Sequence, residues 1–137
     1  LFYLSQQAAK WMKAQGGGSI INISSISAWR CATDAHEPVV AYNASKGAVI
    51  ALTRDMAVKL AADNIRVNSI APGAFLTDMM NHIVHDQAKL SAFESAIPQL
   101  RSGKEDDIKG VVVFLAGPAS AFITGQTLVV DGGWSCT

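Results

Sequence analysis

This chain has no basic run. Eleven Lys and Arg are scattered against eleven Asp and Glu, for a formal net charge of zero, so neither nucleic acid nor an anionic membrane is favoured as a partner. Cysteine is nearly absent. Cys31 and Cys136 stand far apart without C-x-x-C or Cys/His spacing, which argues against a disulfide framework or a zinc site and makes reduced thiols in a cytoplasmic setting the expectation. No apolar run approaches the roughly 20 residues of a membrane-spanning helix, and none is laid out like a signal peptide. Repeats and linkers are missing too. What remains is a half-apolar chain of 137 residues, enough for one domain with a core. It opens on Leu1 in a pattern that is already helical and uncapped, which predicts a piece of a longer polypeptide.

The most informative stretch is Tyr42 to Lys46, Y-N-A-S-K, at the start of a long helical pattern. Residues four apart in a helix lie roughly 6 Å apart on one face, so Tyr42 and Lys46 are expected to be neighbours. An ammonium that close to a phenol favours phenolate and turns the phenol into a proton-transfer group nearer neutral pH. Taken alone, Y-x-x-x-K describes a packed tyrosine and a solvated lysine more often than a site.

The rest of the chain supplies context. Residues 1–15 put Leu4, Ala8 and Met12 on one stripe with Trp11 beside it, ending at Gly16-Gly17-Gly18. Ser19–Ser25 is a β-branched run suited to a strand buried on both faces, with Ser24 and Ser25 at its carboxyl end, where open α/β sheets bind ligands. Residues 26–40 read as a loop. A helix is expected over about 41–62, with Val49, Leu52, Met56 and Leu60 inward. Ile65–Ala71 is a second strand, broken by Pro72-Gly73. Thr77-Asp78 is placed to cap a helix to about Ala88, with a shorter helical piece to Ala96, together read as a mobile cover. Glu105–Asp107 open a helix with Ile108, Val111, Val112 and Leu115 on its apolar face, and Thr127–Val130 is a third strand.

Strand, helix, strand, cover, helix, strand predicts an α/β fold. Right-handed crossovers make the three strands parallel, in a doubly wound, Rossmann-type sheet with flanking helices that is incomplete at its amino-terminal side. The first strand is too apolar for an edge, so a missing neighbour is expected there.

Four segments in order carry a resemblance: N-I-S-S at 22–25, Y-N-A-S-K-G-A at 42–48, N-I-R-V-N-S-I-A-P-G at 64–73 with Thr77, and T-G-Q-T-L-V-V-D-G-G at 124–133. Together they make residues 1–137 resemble the carboxyl-terminal part of a single short-chain dehydrogenase/reductase domain. The resemblance implies an NAD(P)-dependent oxidoreductase interconverting an alcohol and a ketone, with NAD or NADP as cofactor, a small-molecule substrate, no metal, and a homodimer or homotetramer when full length. It implies Ser25, Tyr42 and Lys46 as the catalytic set: Tyr42 as acid/base, Lys46 tuning it and holding the nicotinamide ribose, Ser25 fixing the substrate oxygen. Tyr42, Lys46, Pro72, Gly73, Phe75 and Thr77 are implied as cofactor contacts. Ser24 and Ser27 compete with Ser25. The serine-to-tyrosine interval is longer than the family's usual one, and residues 29–37, with Arg30 and His36, are expected to rim the substrate pocket. His82, His85 and Asp86 have helical spacing but read as polar surface. The family's glycine-rich turn and its active-site asparagine are not in this sequence, and Leu100 stands where glycine is common. Two other readings stay open: a truncated, non-catalytic product or pseudoenzyme, and a related epimerase or dehydratase acting on a nucleotide-sugar, against which P-G-x-x-x-T and the 124–133 segment speak.

Overall fold

Three short runs rich in Ile and Val build the sheet. The computed structural model describes residues 1–31, 39–77, 80, 83 and 85–137. Helix α1 (Phe2–Ala14) leads to β1 (Gly18–Ile23), α2 (Val40–Leu60), β2 (Ile65–Pro72), α3 (Gln87–Ser95), α4 (Glu105–Ala116) and β3 (Thr127–Val130). The strands are parallel in the order β1-β2-β3. Gly18 pairs with Ile65 at one end of the β1–β2 ladder and Ile23 with Ile70 at the other, while Ser69 to Pro72 pair with Thr127 to Val130. A central strand covered on both faces has to be apolar almost throughout. Accordingly, Val67, Ile70 and Ala71 of β2 have no exposed surface.

Register decides which helix meets which side chain. Ile20 pairs with Val67 and faces α1 and α2, where Ala9, Met56, Ala57 and Ile65 complete a cluster edged by Ala8, Met12, Leu52 and Leu60. Burying each of the larger ones contributes roughly 1.5–3 kcal/mol. Ser19 and Arg66 pair on the opposite face against α4: Ser19 Oγ donates to Leu115 O, and the Arg66 guanidinium donates to Leu115 O, Gly117 O and Ser120 Oγ. A cation there satisfies the last carbonyls of α4. Helices therefore cover both faces, and the sheet is doubly wound. Polar residues inside the strands are paired, as burial demands. Asn22 Nδ2 donates to Thr53 Oγ1, Asn68 Nδ2 donates to Ile123 O, and Asn68 Oδ1 accepts from Gln126 N.

The structure revises some expectations and leaves others outside the described residues. On α1 the inward positions are Ser5, Ala8, Ala9 and Met12, while Leu4 and Trp11 are 71% and 66% exposed. On α4 Leu115 is buried but Val112 is exposed. The described helix after β2 starts only at Gln87, where Asp86 Oδ1 accepts from Ala88 N and Lys89 N. The expected helix from Thr77 lies largely outside the described residues, as does most of the 29–37 loop. Ser24 and Ser25 follow β1 rather than ending it, and Ile26–Ala28 is a 3-10 turn.

Candidate functional site

Where β1 and β2 end, the chain leaves the sheet in two directions and a cleft of about 920 Å³ opens. This is the position at which open α/β sheets bind ligands. The two serines after β1 part ways at once. Ser24, 2% exposed, donates through Oγ to Lys46 O at 2.8 Å, so its hydroxyl fastens the strand end to α2. Ser25 is extended (φ −164°, ψ 155°) and caps the 3-10 turn, its Oγ accepting from Ser27 N at 3.1 Å. Accepting one bond leaves the Ser25 O–H proton to donate elsewhere. Both serines line the cleft, but the Ser24 proton is used on Lys46 O whereas the Ser25 hydroxyl keeps its proton to donate.

Tyr42 and Lys46 lie one turn apart near the start of α2, and the Lys46 ammonium sits 5.5 Å from the Tyr42 ring centroid. Lys46 Nζ also donates to Ile23 O at 3.2 Å, anchoring the amine to the end of β1. An ammonium has three donors, so two remain for groups entering the cleft. Ser25, Tyr42 and Lys46 line this one cleft together with Pro72, Gly73, Phe75 and Thr77. Every residue singled out from the motifs is therefore brought together. A separate recess of about 370 Å³, bounded by Arg101, Asp107 and residues 129–133, contains none of Ser25, Tyr42 and Lys46.

Gly73 is required for a reason the sequence did not show. Its backbone runs against β3, Gly73 N donating to Val130 O, and a Cβ on Gly73 would come within 2.5 Å of Asp131 Cβ. Gly103 is similar, since a Cβ there would meet the Phe75 ring at 2.7 Å. That contact positions Phe75 in the cleft wall.

The motifs also missed an aromatic wall. Trp134, just after D-G-G, meets Phe93 of α3 edge-on at 5.2 Å, and the Arg30 guanidinium lies over the Trp134 ring at 4.4 Å from its centroid. Arg30, Phe93 and Trp134 all line the cleft. No periodicity marks Trp134, because it follows a turn; only its aromatic bulk beside a motif was a signal. Beneath it, Asp131 Oδ1 accepts from Gly133 N and Oδ2 from Ser135 N. Partial burial acts to raise the Asp131 carboxyl, but the bonds from Ser135 and Gly133 and the Arg30 charge outweigh it and leave the group below its ordinary value. His36 and His82 lie outside the described residues. His85 is exposed, Asp86 is spent as a helix cap, and Cys31 and Cys136 are exposed and unbonded. No described helix is long and apolar enough to cross a membrane.

Comparison with known proteins follows the same outline. A family model described as enoyl-(acyl carrier protein) reductase matches residues 1–135. A tropinone reductase homolog of Arabidopsis thaliana is 41% identical over 134 residues, covering 98% of this chain and 48% of that protein. The 2-dehydro-3-deoxy-D-gluconate 5-dehydrogenase of Escherichia coli is 42% identical over 135 residues, covering 98% and 52%. Among solved structures, a gluconate 5-dehydrogenase from Burkholderia cenocepacia in complex with NADP and tartrate superposes with a TM-score of 0.91 at 38% identity, covering 99% of this chain and 52% of that one. The chain spans about half the length of the curated relatives it matches.

Proposed function

The chain belongs to the short-chain dehydrogenase/reductase family, and from that premise we propose that it serves an oxidoreductase interconverting an alcohol and a ketone with NAD or NADP. The observation that carries the proposal is the convergence of Ser25, Tyr42 and Lys46 on one cleft, with the Lys46 amine 5.5 Å from the Tyr42 ring centroid and fastened to Ile23 O. The residues present fit the nicotinamide end of such a cofactor. Ile23, Pro72 and Gly73 offer a largely apolar wall, Lys46 keeps two N–H groups for ribose hydroxyls, and the Thr77 side chain is exposed at the rim. When bound, the cofactor would supply or accept the hydride.

The chain's own residues handle the proton. Ser25 Oγ donates to the substrate oxygen and holds it within reach of the phenol. Tyr42 gives its proton to that oxygen as a ketone is reduced, or takes it as an alcohol is oxidised. Lys46 steadies the negative charge that develops on the phenol oxygen while its other donors hold the ribose. Phe75 and Pro72 exclude water from the reacting face. A single positioned acid of this kind accelerates reaction by about 10² to 10⁴. We extend the proposal to assembly as a homodimer or homotetramer, supported by the outward apolar residues Val40 and Val58 of α2 and Val129 of β3.

The test is Tyr42→Phe in the full-length protein. Carbonyl-dependent oxidation of NAD(P)H should fall by roughly 10² to 10⁴, while cofactor binding, followed by nicotinamide fluorescence, stays at the wild-type level. Retained turnover would show that another acid serves.

A further inference from the structure

The relatives' names disagree about substrate, and the cleft itself carries an answer. Resting on the alcohol/ketone reading above, we propose that Arg30 determines specificity by binding the carboxylate of an anionic substrate, so that the substrate class is a hydroxy acid and its keto acid. Arg30 is built into the same short piece of chain as Ser25. Ser25 caps the turn at Ile26–Ala28, and Trp29 N and Arg30 N both donate to Ile26 O, at 3.1 and 2.9 Å. The hydroxyl that holds the reactive oxygen and the cation five residues later are therefore fixed relative to each other. Such a piece measures the distance between two groups of one substrate.

The guanidinium is also held against an aromatic ring. It lies over Trp134, which Phe93 fixes at an interplanar angle of 84°. A guanidinium placed over an indole gains a cation–π contact and still has N–H donors for a planar, bidentate acceptor. The cleft that Arg30 lines also carries the apolar side chains of Ile26, Met80, Ile83 and Phe93. Beside such surface a charge-assisted hydrogen bond is stronger than in bulk water.

Among the described residues, the other charged groups of the cleft do not duplicate this role. Lys46 is tied to Ile23 O beside Tyr42, and Lys104 stands next to Glu105 in the cleft wall. Asp131, the acid whose ionisation Arg30 favours, accepts from Gly133 N with one oxygen and from Ser135 N with the other. A carboxylate on the substrate supplies the planar acceptor that the guanidinium edge fits, and a neutral substrate does not.

The experiment uses the full-length, cofactor-loaded protein as wild type, Arg30→Ala, Arg30→Lys and Tyr42→Phe. Binding of two hydroxy acids of different length, gluconate and malate, is measured by calorimetry. Oxidation is measured with whichever acid binds and with its neutral counterpart carrying CH2OH in place of the carboxylate. Arg30→Ala should weaken acid binding and raise KM by roughly 10- to 100-fold with little change in kcat, and leave the neutral counterpart unaffected. Arg30→Lys should restore only part of the loss, since a point charge lacks the fork. Wild-type protein that binds neither acid overturns the proposal. So do equal losses on acid and neutral probes, which would assign Arg30 to holding Trp134 in place. Arg30-dependent acid binding in a protein that oxidises nothing, with or without Tyr42, would support the carboxylate site and overturn the redox reading instead.

Discussion

Single residues show how identical chemistry is split by position. Ser24 and Ser25 differ by one step along the chain, yet one hydroxyl donates to Lys46 O and the other keeps its proton to donate elsewhere. Spacing alone left both open, together with Ser27, because strand alternation does not extend past the last paired residue. The Tyr42–Lys46 relation was legible, since four residues in a helix always share a face. Leu100 was legible only as an oddity. The structure gives the cause: Leu100 has φ +53° and its side chain is 69% exposed. The left-handed region costs an L-residue about 1–2 kcal/mol, and the extra freedom of an unfolded glycine offsets about 0.5–1 of that. Leu100→Gly should therefore stabilise the folded chain by roughly 0.5–1 kcal/mol and raise Tm by a few degrees in a thermal melt. An unchanged or lower Tm would mean that the exposed side chain makes contacts worth more than the strain.

At the scale of elements, the strands were legible to within about two residues because each is a short run rich in β-branched residues with a turn-forming residue near at least one end. The faces of the helices were less so. The sequence of α1 offers more large apolar residues than its inward face can take, and small residues were needed where it lies close to β1. Leu4 and Trp11 lost to Ala8 and Ala9 for that reason. The entry to α4 adds a testable element. Arg101 donates from both terminal nitrogens to the two Asp107 oxygens, at 2.7 and 2.9 Å, and Lys104 N donates to the same carboxylate. The Arg101 hydrogen bonds, followed by the one from Lys104, hold the Asp107 carboxyl at about 2. A carboxyl depressed in the folded state contributes stability in full above its unfolded value and loses it as pH falls through the folded value. The difference in Tm between wild type and Asp107→Asn should thus be steady from neutral pH down to about 5 and shrink towards zero between about 4 and 2. A difference that persists at pH 2 would locate the cost of the substitution in capping geometry rather than charge. Because Lys104 and Glu105 line the cleft, this element also sets one of its walls.

For the molecule as a whole, topology explains both the site and a liability. Parallel strands deliver all their carboxyl ends to one side, so residues from Ile23 to Lys46 and from Pro72 to Thr77 meet although they are far apart in sequence. The order β1-β2-β3 leaves β1 paired along one side only among the described residues, with Ile23 46% exposed. Exposed backbone donors and acceptors on an apolar strand recruit further strands. Apolar surface is added by Phe2, Tyr3, Leu4 and Trp11 on α1 and by Phe122 on the turn before β3, all of them exposed. Exposed apolar surface on this scale marks an interface or an aggregation site. We predict that the polypeptide of residues 1–137, prepared alone, self-associates as concentration rises in sedimentation velocity and binds an apolar dye such as ANS. Charge placed on the outward face of α1, as in Trp11→Lys with Leu4→Lys, should reduce the association without unfolding α1, because neither side chain belongs to the buried cluster. A monodisperse monomer with a single sharp melt and no dye binding would mean that these residues pack on one another in solution, and that the open side of β1 is not a recruiting edge.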